Sequence, residues 1–323
     1  MAEITGKMDA PQTVNQSVPS QNQNPSLNAD PSKASNSIRA VNAPFQVHTM
    51  HERTRWLKFL VYGKHGAGKT ELAGSAVDCE SMRDVILISA ESGDTTLEDN
   101  ARIKHADKLH VVPVTNFKQV AYIQEFLVKY CKARDANNIL VMKQLYSQVT
   151  GIPVAEITDT GVPRYKTVII DSLSEVEVYC LYSLLSIDSS KVEMDGIDVA
   201  GWPEFRKNAE MVKLLVRAFR DLPMHVIFVC AEQYTQDDQK RFHYTPQLTG
   251  KLSAQVQGFV DIVGWITVGQ ATQEQPEAPR RVYCQPITGG PRFDAKNRRS
   301  VFKGAWFENP SMTSIMKDVG LAK

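Results

Sequence analysis

The chain has 323 residues, enough for one large or two small domains, and its 42% hydrophobic and 23% charged residues make an ordinary globular composition. Its 37 Lys and Arg against 36 Asp and Glu leave a net charge of +1, which excludes a global basic field, so any contact with nucleic acid has to come from a local patch. Five scattered cysteines without a C-x-x-C argue against a zinc site or a disulfide framework, and with no signal-peptide pattern and no apolar run of spanning length they leave a reducing, cytoplasmic location without membrane contact as the expectation.

Residues 1–44 are dominated by Pro, Gln, Asn and Ser, and the first aromatic residue is Phe45. Such a segment buries too little apolar surface to offset its ordering entropy, so it reads as a disordered tail. From about residue 53, strand-like and helix-like stretches alternate, which predicts a largely parallel α/β sheet. Strands are expected over 57–62, 85–90, 109–114, 166–171 and 224–230, and helices over 116–133, 174–186 and 203–221. In the first helix Phe117, Val120, Ile123, Phe126, Leu127 and Tyr130 follow helical spacing. Residues 134–165, with Gly151, Pro153, Gly161 and Pro163, read as an irregular interruption, and 187–201 as a polar loop. After 232 shorter pieces at 241–248, 260–269 and 280–286 predict an antiparallel extension of the sheet, followed by a short helix near 311–318. The division expected is a tail over 1–44, one nucleotide-binding domain over 45–308 and a C-terminal helix or tail over 309–323.

The most informative stretch is Gly63-Lys64-His65-Gly66-Ala67-Gly68-Lys69-Thr70, which fits G-x-x-x-x-G-K-[ST] at every fixed position. It stands between a strand and a helix start, as a phosphate loop requires. Gly63, Gly66 and Gly68 let the backbone curl so that successive N–H groups face phosphate oxygens, and a helix N-terminus adds partial positive charge behind them. Lys69 is placed to reach the β- and γ-phosphates and the Thr70 hydroxyl to hold Mg²⁺, so ATP and Mg²⁺ are the expected cofactors. His65 occupies a variable position of the loop and fills space.

Three further strand tips carry chemistry. Thr167-Val168-Ile169-Ile170-Asp171 is an apolar strand ending in an acid that can orient a water on Mg²⁺; Ser172 and Ser174 cap the helix behind it. Glu91, at the tip of the strand that follows the phosphate-loop helix, is either a solvated loop carboxylate or a general base that orients an attacking water. His225-Val226-Ile227-Phe228-Val229-Cys230-Ala231 leads to Glu232 and Gln233, one of which can sense the γ-phosphate; alternate strand residues face opposite ways, so the sequence leaves the two open.

These four pieces in this order resemble the RecA-like ATPases, most closely the phage-encoded nucleotide-binding proteins built from a RecA-type core alone, some of which act in single-strand annealing and recombination. The resemblance covers about 55–308 in layout. It implies a RecA-like P-loop core with a mainly parallel central sheet, hydrolysis of ATP, Glu91 as the base, Asp171 as the Mg²⁺-linked carboxylate, Gln233 or Glu232 as the γ-phosphate sensor, and a homo-oligomer with nucleotide at the subunit interface. In such assemblies a basic residue near Pro246-Gln247-Leu248-Thr249-Gly250-Lys251-Leu252 reaches the neighbour's nucleotide; Lys251 is the candidate, with Lys296, Arg298 and Arg299 as rivals. The loop around Lys240-Arg241-Phe242-His243-Tyr244 stands where relatives contact single-stranded DNA, and basic residues there can track phosphates while aromatics stack on bases. No N-terminal polymerisation domain or C-terminal DNA-binding domain is recognisable. Two other functions remain in view: a nucleotide-operated switch that binds a protein partner with little turnover, and a small-molecule kinase, which the water-directed tips and the lack of an arginine-rich lid disfavour.

Overall fold

Apolar runs such as Val85-Ile86-Leu87-Ile88 have no polar face to show to water, so they need cover on both sides. The computed structural model describes residues 49, 55–98, 100–187, 199–271, 273, 278–299 and 301–322, and in it each such run is a central strand between two helical layers. The first strands and helices are β1 (Lys58–Gly63), α1 (Lys69–Gly74), β2 (Val85–Ser89), β3 (Leu109–Pro113), α2 (Phe117–Asp135), α3 (Ile139–Thr150), β4 (Thr167–Asp171), α4 (Leu173–Leu184), α5 (Trp202–Arg220) and β5 (His225–Gln236). They are followed by β6 (Phe242–Pro246), α6 (Leu252–Phe259), β7 (Ile262–Val268), β8 (Arg280–Tyr283), β9 (Arg292–Phe293), β10 (Lys296–Asn297), β11 (Trp306–Glu308) and α7 (Met312–Asp318).

The main sheet runs β11-β8-β7-β1-β5-β4-β2-β3. Pairing is parallel from β7 through β3 and antiparallel among β7, β8, β10 and β11. Alternation along each strand sorts the core into two sides. Leu60, Tyr62, Ile86, Ile88, Ile170 and Phe228 pack with residues of α2, α4 and α5. Phe59, Val61, Leu87, Ile169, Ile227 and Val229 pack with residues of α1 and α7. Helix starts follow from side-chain capping: Asn116, Asn138, Ser172 and Ser311 each accept a backbone N–H of the first turn, worth about 1 kcal/mol apiece.

The predicted α/β class, parallel sheet and antiparallel extension hold, with four local differences. The stretch 134–165 contains a helix, α3: its Gly and Pro residues all lie beyond its end, and Gly151 closes it at φ 75. Residues 252–259, between two of the expected extended pieces and given no element of their own, form α6. β5 continues to Gln236, half-exposed beyond Ala231, because its tip pairs with β6 in register from Glu232↔Pro246 to Gln236↔Phe242. The strand expected over 260–269 is β7, yet it joins β1 in parallel; the antiparallel part starts at its other edge. The predicted tail over 1–44 and residues 188–198 of the predicted polar loop lie outside the described residues. The described residues from 55 onward form one compact unit, α7 included; Met312, Ile315 and Met316 are buried, and the Met312 N–H donates to Ser75 Oγ at 2.8 Å. Among the described residues no helix is long and apolar enough to cross a membrane.

The foot of the sheet is fixed by two buried titratable side chains. Leu57 N–H donates to His225 Nδ1 at 2.9 Å, so that nitrogen must stay unprotonated. Lys58 Nζ donates to the Leu222 and Met224 carbonyls at 2.9 and 2.6 Å. Burial, helped by the Lys58 and Lys166 charges, lowers the His225 pKa to about 3, and burial lowers that of Lys58 to about 8. The unfolded chain therefore takes up a proton at residue 225 below about pH 6.5 while the folded chain does not until about pH 3, so stability is complete above that window and falls as pH drops through it. Between pH 7 and 5 this site alone is expected to remove about 2 kcal/mol. Denaturant melts at both pH values should show His225→Gln losing less stability than wild type over the same span.

Candidate functional site

The register of the parallel strands brings the predicted motifs to one edge. Ser89 of β2 lies opposite Asp171 of β4, Asp171 opposite Val229 of β5, and Gly63 of β1 opposite Ala231 of β5. The residues just past these positions therefore share the carboxyl end of the sheet, where open α/β sheets bind ligands.

The loop from Gly63 to Thr70 is shaped by glycine for two separate reasons. A Cβ at Gly63 would stand 2.4 Å from the Ile266 carbonyl oxygen, so β7 can approach only a glycine there. Gly68 has φ +89, a left-handed conformation that other residues rarely take. Lys69, buried at the start of α1, donates from Nζ to the Gly63 and Lys64 carbonyls at 2.9 Å each; burial lowers its pKa against the pull of Asp171 and Glu91. Thr70 Oγ1 donates to Asp171 Oδ2 at 2.6 Å. Burial pushes the Asp171 carboxyl up, against that hydrogen bond. The turn after β2 folds over the pair: a Cβ at Gly93 would lie 3.6 Å from Thr70 Oγ1 and 4.0 Å from Asp171 Oδ2.

Glu91 comes to the same mouth, where its Oε1 accepts a hydrogen bond from Ser172 Oγ. Ser172, read from sequence as a cap, does both jobs, since it also accepts the Glu175 N–H at 3.2 Å. A serine directly after Asp171 is a signal that points to this second role only once the strand register is known.

Between the two sensor candidates the structure separates sides. Glu232 lines a cavity of about 320 Å³ with Lys64, His65 and Gly66, and its Oε2 accepts from Trp265 Nε1 at 2.9 Å. Gln233 instead donates to the Pro246 and Leu248 carbonyls at 3.2 and 3.3 Å, bracing the turn that leads to α6. Glu177 braces the same turn by accepting the Thr249 N–H.

Lys251 stands at the end of that turn, exposed, on a groove of about 850 Å³ shared with Trp202, Phe205 and Met211. It lines neither cavity at the phosphate loop. Its rivals are occupied: Lys296 Nζ donates to the Gln257 and Val260 carbonyls, Arg298 to the Gly258 carbonyl and Arg299 to Asp261. In the hairpin, Arg241 and Arg292 both pair with Asp237, and His243 contacts Asp294. The exposed Tyr234 and Phe242 rings meet edge to face at 5.3 Å. No motif marks Glu71, Arg102, Trp265 or Arg280, yet all four border the loop's two cavities.

The chain matches the family model described as the AAA domain over residues 55–299, which spans the phosphate loop, every strand tip above and the hairpin. No curated protein matches it.

Lys69→Ala is expected to abolish tight binding of magnesium nucleotide, because Lys69 is the buried cation of the loop and the other, Lys64, is exposed. The melting temperature should stay within a few degrees of wild type, since the ammonium contacts only loop carbonyls. Titration calorimetry and a thermal melt on the same sample check both halves.

Proposed function

The chain belongs to the AAA domain family of P-loop ATPases, and on that premise we propose that it hydrolyses ATP with Mg²⁺ and directs the turnover to single-stranded DNA. The observation that carries the ATPase half is the convergence of Lys69, Thr70, Asp171 and Glu91 at one mouth, delivered by three aligned parallel strands. The residues suit the cation: Mg²⁺ keeps most of its shell as waters and phosphate oxygens and takes one or two protein groups, and the Thr70 hydroxyl with Asp171 at 2.6 Å behind it is such a pair. When bound, Mg²⁺ neutralises charge on the β- and γ-phosphates.

The chain's own side chains do the rest. Lys69 exchanges its two loop carbonyls for phosphate oxygens. Ser172 holds one Glu91 oxygen and leaves the other to orient water and accept its proton as general base. Glu232, whose charge reaches Lys69, is the group beside the terminal phosphate, and Trp265 links it to Tyr244 of the hairpin through ring stacking at 5.1 Å. In a homo-oligomer the exposed Lys251 is the cation available to a neighbour's nucleotide.

For the DNA half, the supporting observation is the exposed Tyr234–Phe242 pair at the hairpin, a surface on which bases can stack. Phosphate tracking falls mainly to Lys240, because Arg241 and Arg292 already share Asp237.

Glu91→Gln is expected to bind ATP as wild type does and to hydrolyse it about 10²–10⁴-fold more slowly. A variant within a few-fold of wild type in a phosphate-release assay moves the base to Glu175, the next carboxylate at the mouth.

Phe242→Ala should weaken single-stranded DNA binding about tenfold with little change in salt dependence, whereas Lys240→Ala should make the salt dependence shallower by about 0.7 counterions. Fluorescence anisotropy at several salt concentrations separates them. Unchanged affinity in both, with ATPase activity indifferent to DNA, favours the protein-partner switch.

A further inference from the structure

The apolar stripe of α5 is covered along only part of its length. Trp202, Phe205, Ala209, Val212, Val216 and Phe219 follow one another at steps of three and four residues, the spacing of one helical face. Val212, Val216 and Phe219 are buried in the core. Phe205 and Ala209 are only half-buried, and Trp202 is 85% exposed. Apolar surface left open in this way, with large side chains side by side, marks a place of contact with something else.

The uncovered part of the stripe forms one wall of the groove of about 850 Å³ that Lys251 borders. The turn Thr249-Gly250-Lys251 and Leu252, the first residue of α6, supply the other. The groove is larger than both cavities at the phosphate loop, about 580 and 320 Å³, and so has room for more than one side chain of an occupant. Its rim is fixed in advance. Both Glu177 oxygens accept the Thr249 N–H at 3.1 Å, and Ser174 Oγ donates to the Gln247 carbonyl at 2.9 Å. A preformed rim lowers the ordering cost of binding.

The lining combines apolar surface with one sign of charge. Phe205, Met211 and Leu252 are apolar, and a Met side chain adapts to the shape laid on it. Arg206, Lys207 and Lys251 stand exposed on the same lining. The one carboxylate there, Glu210, is held by Lys213 at 2.5 Å. The groove is thus locally cationic on a chain whose net charge is only +1. A nucleotide base would press polar edges against Ala209, Met211 and Leu252, which cannot pair with them. An apolar side chain flanked by carboxylates leaves neither its own groups nor the cations unmatched.

We infer that this groove docks an acidic segment of a partner protein. Apolar side chains of the segment seat against Trp202, Phe205 and Met211, and its carboxylates meet Arg206, Lys207 and Lys251. Trp202 is the anchor, since a large ring that becomes covered on binding carries a disproportionate share of the affinity. The surface is separate from the nucleotide mouth, because no residue of its lining borders either cavity at the phosphate loop.

The test is fluorescence anisotropy of the full chain with a labelled peptide of about ten residues in which Asp alternates with Leu and Phe. Two control peptides replace Asp by Lys, or Leu and Phe by Ser. The acidic apolar peptide is expected to bind, and each control to bind at least about tenfold more weakly. Trp202→Ala should weaken the first peptide by about tenfold or more at every salt concentration. Lys207→Glu should weaken it at low salt and much less at high salt, where the charges are screened. Both side chains are exposed, so neither variant disturbs the core. No binding by the wild-type chain, equal binding of the three peptides, or an affinity that survives Trp202→Ala overturns the proposal. A labelled oligothymidylate that binds where the peptide does not, and is lost in Trp202→Ala, overturns it in favour of nucleic acid. Self-association in sedimentation velocity that Trp202→Ala abolishes, with no peptide bound, overturns it in favour of a second copy of this chain. The assay contains no nucleotide, so its failure leaves the ATPase reading standing.

Discussion

The mouth of this protein depends on how closely β7 lies against β1. Parallel pairing of Phe59–Tyr62 with Ile262–Trp265 carries the strand on past Gly63, where the Ile266 carbonyl takes the space a side chain would need. That contact fixes where the phosphate loop leaves the sheet. On the other edge of β1, pairing to β5 aligns Gly63 with Ala231, and β4 and β2 follow in step. Hydrogen-bond register thus sets the position of Lys69, Asp171 and Glu91 relative to one another, with the loops contributing only short excursions from the strand ends.

Burial makes the arrangement selective. Lys69 and Asp171 are both largely withdrawn from water, which disfavours the charged form of each. Lys69 is held by carbonyls and Asp171 by a hydroxyl, and each also feels the other's charge. On the function proposed above, a polyanion with a divalent cation would satisfy both at once.

Much of this was legible in the sequence because it is written in local patterns. The phosphate loop has fixed spacing, the buried strands are unbroken apolar runs, and an acid at a strand tip stands out against them. What the sequence left open concerns direction and distance. Glu232 and Gln233 are neighbours, and only the pairing of β5 with β6 decides which faces the loop. No local pattern separates Lys296 from Lys251; the difference is that the end of α6 rests on the Lys296 ammonium. α3 is masked in the sequence by the turn residues Gly151 and Pro153, which stand just past its twelve residues. The arginines on Glu71 belong to no motif, being 31 and 209 positions away from it in the chain.

The last helix adds a constraint of a different kind. α7 lies beyond the stretch matched by the family model, yet its first residue is tied to Ser75, 237 positions earlier. The segment leading into it, Asn309 to Ser311, walls the cavity that opens from Gly66 and Gly68. During synthesis the loop is therefore made long before the wall that completes its surroundings. A growing chain carries a phosphate-binding motif for most of its length without a finished cavity beside it. Contacts of such sequence separation carry a larger loop-closure cost and slow folding, so the wall beside the loop is among the costlier parts of the fold to assemble.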